Sequence, residues 1–423
     1  MTSPPSSGSF GVWIGNRRAG TIRRHGDRTR FSLDADYRDD PDRPVLGLVF
    51  EDRPEKVHTA TVRLAPWFSN LLPEGRLRDW IAGERGVNRQ REMELLAQVG
   101  HDLPGAVRVL PDREDLAVSM WTHDSVWARE FDTYSVEMTD DFHGPGIRFS
   151  LAGVAMKFSM LMRHGRLAIP AHGEGGDWIV KTPDSTFRDV PLNEFTMMSL
   201  AGAVGIEVPE VRLVPRDRVD DRLPGGVWPN DEQWAYAVRR FDRDEQRGLV
   251  HIEDLAQVRN VYPEHKYDGN FETVASLLYR GRDQESLLEF TRRLTFSVLI
   301  SNGDYHLKNW SLIYPDGRVP RLSPAYDLVS TAHYLAGERH EDLGLKFGGS
   351  REFHKVTLST FRRLQERLGV RDADLAECAA VTVERTMAEW PRHASLLDPS
   401  PRLQEAVDQS IGMRSKTIMR SRV

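Results

Sequence analysis

The chain has 423 residues, 39% hydrophobic and 9% aromatic, with a formal net charge of −6 at pH 7; this length allows two or three domains with their own cores. The acidic balance argues against a chain that binds nucleic acid through its overall charge, and no apolar run approaches the roughly 18 residues of a membrane span. A single cysteine, Cys378, excludes an internal disulfide and, with no signal-peptide pattern in residues 1–9, indicates a cytoplasmic protein.

The first part of the chain is predicted to form a small α/β unit. We expect residues 1–8 to be a flexible tail, residues 9–112 to form the unit, and residues 113–145 to be a connector that ends in a Gly-Pro-Gly breaker. Alternating or helical hydrophobic patterns favour two strands and two helices within it. These lie at residues 10–14, 20–22, 77–81 and 92–99.

Residues 146–241 have the order of elements found in the small lobe of a protein kinase. A tight turn around Gly153 separates two predicted strands, and the short apolar strand 178–181 ends in a lysine. A helix is predicted from about Glu194 to Val204, with Phe195, Met198 and Leu200 as core positions. The remaining predicted strands are residues 147–149, 158–162, 208–214 and 236–241.

Residues 242–423 are predicted to form a mainly helical large lobe. The buried-helix pattern of residues 286–300 leads directly into a polar loop, and a strand hairpin with a Pro-Asp-Gly turn follows that loop. Cys378 falls in an apolar helical stretch and is interpreted as core filler rather than a nucleophile. The other elements expected in this lobe are strands at 310–314 and 319–322 and helices at 358–368 and 375–390.

The most informative pattern is an aspartate followed five residues later by an asparagine, with a second aspartate after the hairpin. These residues are Asp304, Asn309 and Asp327. Protein kinases use this spacing for a base that receives the substrate hydroxyl proton and for two magnesium ligands. Each residue also has a structural alternative, since Asp304 follows Asn-Gly as in a common turn and Asp327 could cap a helix. Their combination favours phosphoryl transfer.

Lys181 and Glu194 are the candidates for the kinase ion pair that holds the α- and β-phosphates. A lysine that ends an apolar strand needs an explanation, although its ammonium could also reach solvent from that position. The glutamate is placed in the first turn of the predicted helix, where the helix dipole alone would favour it. Lys308 could neutralise phosphate charge and His306 could hold its loop, or both could be structural.

The segment before the second strand of this lobe is a weak phosphate-loop candidate. Residues 150–157 contain one glycine, Gly153, whereas kinase phosphate loops usually contain several. Backbone amides in such a turn can still bind phosphate oxygens.

Taken together, these segments resemble the HipA family, the serine/threonine protein kinase toxins of bacterial type II toxin–antitoxin modules. The resemblance extends over most of the chain and rests on residues 70–75, 102–107, 150–157, 178–181, 193–195, 205–206, 208–210, 240–243, 251–255, 302–309 and 325–327. It implies an α+β, two-lobed protein-kinase-like fold with an additional N-terminal α/β subdomain.

The resemblance also implies roles for individual residues. Asp304 and Lys181 would be catalytic, Asn309 and Asp327 would bind Mg²⁺, and Ser150 would be an autophosphorylation site. The residues expected to contact ATP are Ala152, Gly153, Val154, Ala155, Met156, Lys157, Lys181, Arg239, Arg240, Phe241, His306, Leu307, Lys308, Asn309 and Asp327. Ala155 and Met156 replace a Gln-Glu pair that is usual in the family, which removes two polar side chains near the phosphates.

By the same resemblance, the chain would halt growth by phosphorylating a protein, with an aminoacyl-tRNA synthetase, the glutamyl enzyme first, as the expected target. A HipB-like helix-turn-helix antitoxin would neutralise it, and operator DNA would be contacted only together with that antitoxin. Two alternatives are a kinase-fold enzyme that acts on a small molecule and a catalytically silent scaffold that binds antitoxin and DNA. The presence of all four key residues, Lys181, Asp304, Asn309 and Asp327, argues against the silent scaffold.

Overall fold

The first domain is built on an antiparallel sheet in which neighbouring strands are mostly joined by short turns. The computed structural model describes residues 7–112, 156–170, 175–220, 223, 227–334 and 342–420. Within these ranges the sheet has five strands in the order β4-β3-β2-β1-β5. They are β1 (Ser7–Ile14), β2 (Arg17–His25), β3 (Arg28–Leu33), β4 (His58–Thr61) and β5 (Val107–Pro111). β1 begins inside the predicted tail, because Ser7 and Gly8 pair with β2.

Five helices of this domain, counted over residues 7–112, contribute buried side chains to the hydrophobic core that the sheet also lines. They are α1 (Ala35–Arg38), α2 (Leu48–Glu51), α3 (Pro66–Ser69), α4 (Gly75–Arg85) and α5 (Glu92–Val99). Both predicted helices are present, and α4 extends beyond the predicted segment to Gly86, whose φ of 63° permits the left-handed helix end.

The small lobe contains a second antiparallel sheet with its lysine strand at the centre. Its described strands follow the order β7-β6-β8-β10-β9. They are β6 (Lys157–Arg163), β7 (Arg166–Ala168), β8 (Trp178–Lys181), β9 (Val211–Pro215) and β10 (Trp234–Arg239). Apolar side chains of β8, Trp178 and Val180, are buried, so the strand lies inside the fold and carries Lys181 to its end.

Helix α6 (Val190–Val204) packs against β9 and β10 and begins earlier than predicted. Pro191 lies in its first turn, where its missing N–H costs nothing, and Asp189 precedes the helix in a left-handed conformation. Glu194 is therefore in the second turn, which corrects its predicted place in the first turn. Met198 and Leu200 are fully buried and Phe195 is half-buried against the same core.

The large lobe is mostly helical, as predicted. Its helices are α7 (Leu255–Val258), α8 (Phe271–Tyr279), α9 (Gln284–Leu299), α10 (Leu358–Leu368), α11 (Leu375–His393) and α12 (Pro401–Met419). Asp283 caps α9 by accepting a 3.0 Å hydrogen bond from the Ser286 amide, which starts the helix that leads into the polar loop. The predicted α+β architecture, with two lobes and an N-terminal subdomain, is confirmed.

The large lobe also contains short strands. β11 (His251–Asp254), β12 (Ser311–Tyr314) and β13 (Arg321–Leu322) form a three-stranded sheet, and β14 (Asp342–Phe347) pairs with β15 (Ser350–Glu352). The hairpin predicted after the polar loop is thus present as β12 and β13. Cys378 is half-buried on α11, and burial raises the pKa of its thiol to about 11, so it is not a thiolate nucleophile.

A buried ion network joins the first domain to the segment that follows β10. Asp102 accepts hydrogen bonds from the guanidinium groups of Arg243 at 2.9 Å and Arg240 at 3.2 Å. Asp242 accepts from Arg240 at 2.8 Å and from the Gly105 amide at 2.8 Å. Burial raises the pKa of Asp242, but the two guanidinium groups outweigh it and hold the pKa below its usual range. The two carboxylates and the two guanidinium groups therefore form one continuous buried ion network.

A buried histidine in the same junction should make stability depend on pH. His251 Nε2 lies 2.9 Å from the Leu46 carbonyl oxygen, and burial lowers the pKa of His251 to about 4. An unfolded-chain histidine has a pKa of about 6.5, so the unfolded state binds more protons between these values and the free energy of unfolding should fall as pH falls through this range.

The His251→Gln variant should show a smaller fall in unfolding midpoint between about pH 7 and 4.5 than the wild type. His164→Gln, at an exposed hairpin position, is the control and should keep the wild-type slope. Equal slopes in all three proteins would contradict this prediction.

Among the described helices, none is both long and apolar enough to cross a membrane.

Candidate active site

The ammonium group of Lys181 is the centre of the site. Register pairing places Lys157 of β6 and Tyr236 of β10 on either side of it. Its Nζ donates to Glu194 Oε1 at 2.6 Å and Oε2 at 2.9 Å, and it also donates to Asp327 Oδ1. Burial lowers the pKa of Lys181, but the two carboxylates outweigh it and raise the pKa, so the group remains cationic. The predicted pairing with Glu194 is present.

Asp327 reaches this cluster from an unusual backbone conformation. Its φ of 55° lies in the left-handed region, which aspartate tolerates better than most side chains. The preceding Tyr326 hydroxyl donates to the Lys308 carbonyl oxygen at 2.9 Å, which anchors the segment to the polar loop. Burial raises the pKa of Asp327, but Lys181 and Lys157 lower it further than that, so the carboxylate is anionic.

The polar loop presents Asp304 to solvent and holds Asn309 inside. The Asp304 side chain is 54% exposed, and its amide donates to Asn302 Oδ1 at 3.1 Å. Asn309 is buried, and its Nδ2 donates to the Asp304 carbonyl oxygen at 2.9 Å. This hydrogen bond fixes the orientation of the Asn309 amide group. The loop therefore exposes the Asp304 carboxylate to solvent and holds the Asn309 amide in a fixed, buried position.

Two aromatic side chains flank Asp304. The Tyr267 hydroxyl donates to Asp304 Oδ1, and its ring packs edge-on against His306 at 5.0 Å between centroids. Burial and the adjacent carboxylate raise the pKa of Tyr267 well above its usual value, so the hydroxyl keeps its proton. Burial lowers the pKa of His306 to about 4, so this ring is neutral near pH 7. Sequence analysis missed Tyr267, which lies far from the loop in sequence and carries no local motif.

Leu307 and Lys308 occupy a 3-10 turn (Leu307–Asn309). Leu307 is fully buried in the large-lobe core. Lys308 Nζ contacts Glu74 Oε1 at 2.7 Å and donates to the Asn70 carbonyl oxygen at 3.0 Å, both in the first domain. The structure thus places the Lys308 ammonium on the first domain and not beside Lys181, while its contact with a nucleotide stays a prediction.

Three residues expected to contact ATP, Arg239, Arg240 and Phe241, lie at the end of β10 and directly after it. Arg239 is exposed, whereas the Arg240 side chain is fully buried in the ion network with Asp102 and Asp242. The Phe241 ring lies 5.7 Å from the Tyr326 ring, next to the segment that carries Asp327. The guanidinium of Arg240 is therefore committed to the ion network, so a ligand could meet Arg240 only through its backbone.

The predicted phosphate loop is described only at its end. Met156 is half-buried and Lys157 is buried, where burial lowers the pKa of the lysine to about 8. Ser150, Ala152, Gly153, Val154 and Ala155 lie outside the described residues.

Comparison with known protein families identifies both parts of the chain. A model of the HipA-like C-terminal domain matches residues 149–390, and a model of the HipA N-terminal domain matches residues 10–110. The chain belongs to the HipA family.

Relatives and solved structures agree with this assignment. The kinase-like protein Y4dM of Sinorhizobium fredii is 41% identical over 389 residues, covering 90% of each chain. The serine/threonine-protein kinase toxin HipA of Shewanella oneidensis is 27% identical over 313 residues, covering 64% of each chain. A Shewanella oneidensis HipA structure, solved with HipB and operator DNA, aligns over 97% of both chains with a TM-score of 0.70 at 19% identity. The chain thus has the HipA fold and belongs to a family of kinases.

Proposed function

We propose that this protein is an ATP- and Mg²⁺-dependent serine/threonine protein kinase. The observation that carries the proposal is the convergence of Glu194 and Asp327 on the single ammonium group of Lys181, with Asp304 presented by the adjoining loop. A charged lysine held by a helix carboxylate at the end of a small-lobe strand is the arrangement that kinases use to position nucleotide phosphates.

Lys181 and Lys157 would bind the phosphates, and the backbone of residues 239–241 would meet the adenine. The pairing of Glu194 with Lys181 restrains the lysine, so less of its conformational freedom is lost when a phosphate binds. The ion pairs of the buried Arg240 guanidinium with Asp102 and Asp242 would hold this backbone segment in place.

Asn309 and Asp327 are the residues that would hold magnesium. The donor set fits this ion, because one carboxylate that stays anionic and one amide oxygen are hard ligands, and Mg²⁺ usually completes its shell with water and substrate phosphates. When bound, the ion would neutralise charge on the transferred phosphoryl group. The hydrogen bond from Asn309 to the Asp304 carbonyl would keep this ligand and the base in fixed relation.

Asp304 would act as the base toward the substrate hydroxyl. Its Oδ1 already accepts a hydroxyl hydrogen bond, from Tyr267, which supports its suitability for this task. As the hydroxyl oxygen forms its bond to the γ-phosphorus and the bond to the ADP oxygen breaks, the hydroxyl proton passes to Asp304. The Asp304 side chain is 54% exposed, so a protein substrate can reach the carboxylate.

The biological role is proposed by relationship. One relative is named a serine/threonine-protein kinase toxin, and a structure of that organism's HipA contains HipB and operator DNA. We therefore propose a cytoplasmic toxin that phosphorylates an aminoacyl-tRNA synthetase, the glutamyl enzyme first. A HipB-like antitoxin would neutralise it and bring it to operator DNA.

Mass spectrometry of the purified protein incubated with ATP and Mg²⁺ tests the kinase proposal. We expect one added phosphate on Ser150 in the wild type and none in Asp304→Ala, because the transfer needs the base. Addition of glutamyl-tRNA synthetase should give a second phosphoprotein. Absence of phosphate on either protein, with no nucleotide binding in a titration, would contradict the proposal and favour a silent scaffold.

A further inference from the structure

A buried carboxylate of the first domain lies beside the catalytic loop. Glu74 precedes helix α4, and its side chain is 14% exposed. Its Oε1 lies 2.7 Å from Lys308 Nζ, and its Oε2 accepts a 3.1 Å hydrogen bond from Lys266 Nζ. One glutamate of the first domain thus joins two lysines of the large lobe.

Each of these lysines belongs to the loop that carries Asp304 or contacts it. Lys308 lies within the loop itself, between Asp304 and Asn309. The Lys266 carbonyl oxygen accepts a 3.1 Å hydrogen bond from the Leu307 amide, so its backbone also touches the loop. The next residue is Tyr267, whose hydroxyl donates to Asp304. The Glu74 carboxylate therefore restrains the loop along two routes.

Electrostatics makes this contact hard to replace. Burial alone would raise the pKa of Glu74, but the ammonium groups of Lys308 and Lys266 outweigh it and lower the pKa to about 2. Without the carboxylate, the two ammonium groups would repel each other in a poorly hydrated place. The next acid, Asp254, lies 3.9 Å from Lys308 and has no recorded contact with Lys266. Loss of Glu74 would therefore release Lys266 first, and Tyr267 with it.

We propose that Glu74 is a positioning residue for phosphoryl transfer, through which the first domain holds Asp304 and Asn309 in their working geometry. This inference rests on the kinase function proposed above. Glu74 itself touches no reacting atom, and within the described ranges its ion pairs go to Lys266 and Lys308 and not to Lys181. Its removal should therefore affect turnover more than nucleotide binding.

The first test compares Glu74→Gln with Glu84→Gln, which changes an exposed glutamate within helix α4. For Glu74→Gln we expect kcat to fall roughly 10- to 100-fold with the KM for ATP within about threefold, because small misplacement of a catalytic group costs this much. Glu84→Gln should match the wild type. Equal kcat values in all three folded proteins would overturn the proposal, and so would a loss confined to KM.

A second measurement does not depend on activity. Amide hydrogen exchange of a peptide covering residues 303–310 should be faster in Glu74→Gln than in Glu84→Gln, while exchange in β8 stays unchanged. If exchange is faster in Glu74→Gln but the wild-type protein shows no phosphoryl transfer, the positioning role is retained and the kinase function is rejected. If exchange is unchanged in Glu74→Gln and the wild-type protein is active, only the positioning role is rejected.

A double-mutant cycle guards against simple loss of folding. Lys266→Met removes the second route while leaving Lys308 in place, and its unfolding midpoint reports whether the fold survives. If both residues act along one path, Glu74→Gln combined with Lys266→Met should lower kcat no further than the larger single effect, within about twofold. Effects that multiply would overturn the common path.

Discussion

Asp304→Ala should lower the initial rate of phosphoryl transfer by roughly 10²- to 10⁴-fold, the usual contribution of a positioned base. The variant should keep its fold, because the Asp304 carboxylate is more than half exposed and its recorded side-chain partners are Tyr267 and His306. Nucleotide affinity should also persist, since Lys181 and its carboxylate partners are untouched. Quantitative mass spectrometry of phosphate transfer over time would measure the rate.

The matched control for this experiment is Asp372→Ala. Asp372 is also an exposed aspartate of the large lobe, and its recorded hydrogen bond, to Gln284, uses its backbone oxygen. Its rate should equal that of the wild type. A fully active Asp304→Ala protein would reject Asp304 as the base, and with it the mechanism proposed here.

Lys181→Met should have the second large effect, on stability and on nucleotide binding together. The change leaves Glu194 and Asp327 facing each other without the cation that both contact. Removing one partner from a buried ion pair typically destabilises a protein by about 3–5 kcal/mol. We therefore expect a large fall in the unfolding midpoint, measured by thermal melting, and no measurable ATP binding.

Two further variants make this prediction specific. Lys346→Met changes an exposed lysine that also lies in a strand, and it should leave both the midpoint and ATP binding unchanged. Adding Glu194→Gln to Lys181→Met should recover part of the lost stability, because one of the uncompensated charges disappears. If the double variant is no more stable than the single one, the penalty does not come from buried charge.

Local sequence patterns predicted most of the elements around the site. The strand that carries Lys181 has the predicted bounds, and the helix before the catalytic loop differs by two residues at its start. Both depend on hydrophobic periodicity, which a single sequence displays directly. The start of α6 was misplaced because Pro191 was not used as a first-turn signal.

Non-local contacts could not be predicted in the same way. Lys308 lies between Asp304 and Asn309, and the sequence left open whether it neutralises phosphate charge or is structural; its contact with Glu74 of another domain could not be predicted. The partners Lys266 and Glu74 are 192 residues apart in the chain, and neither belongs to a motif that would reveal the other. Tyr267 was missed for the same reason. Only the packing of the first domain on the large lobe brings these charges together.

The ion network at the domain junction limits how this chain can be recombined. Arg240 and Arg243 of the kinase region both pair with Asp102 of the first domain, and the Gly105 amide of the first domain donates a hydrogen bond to Asp242. A chimaera that joins the first domain of one relative to the kinase region of another would leave a buried charge without its partner unless both halves carry matching residues. Substitutions at the network residues of the first domain and of the kinase region should therefore occur together. Recombination between relatives should exchange the whole chain more readily than either half.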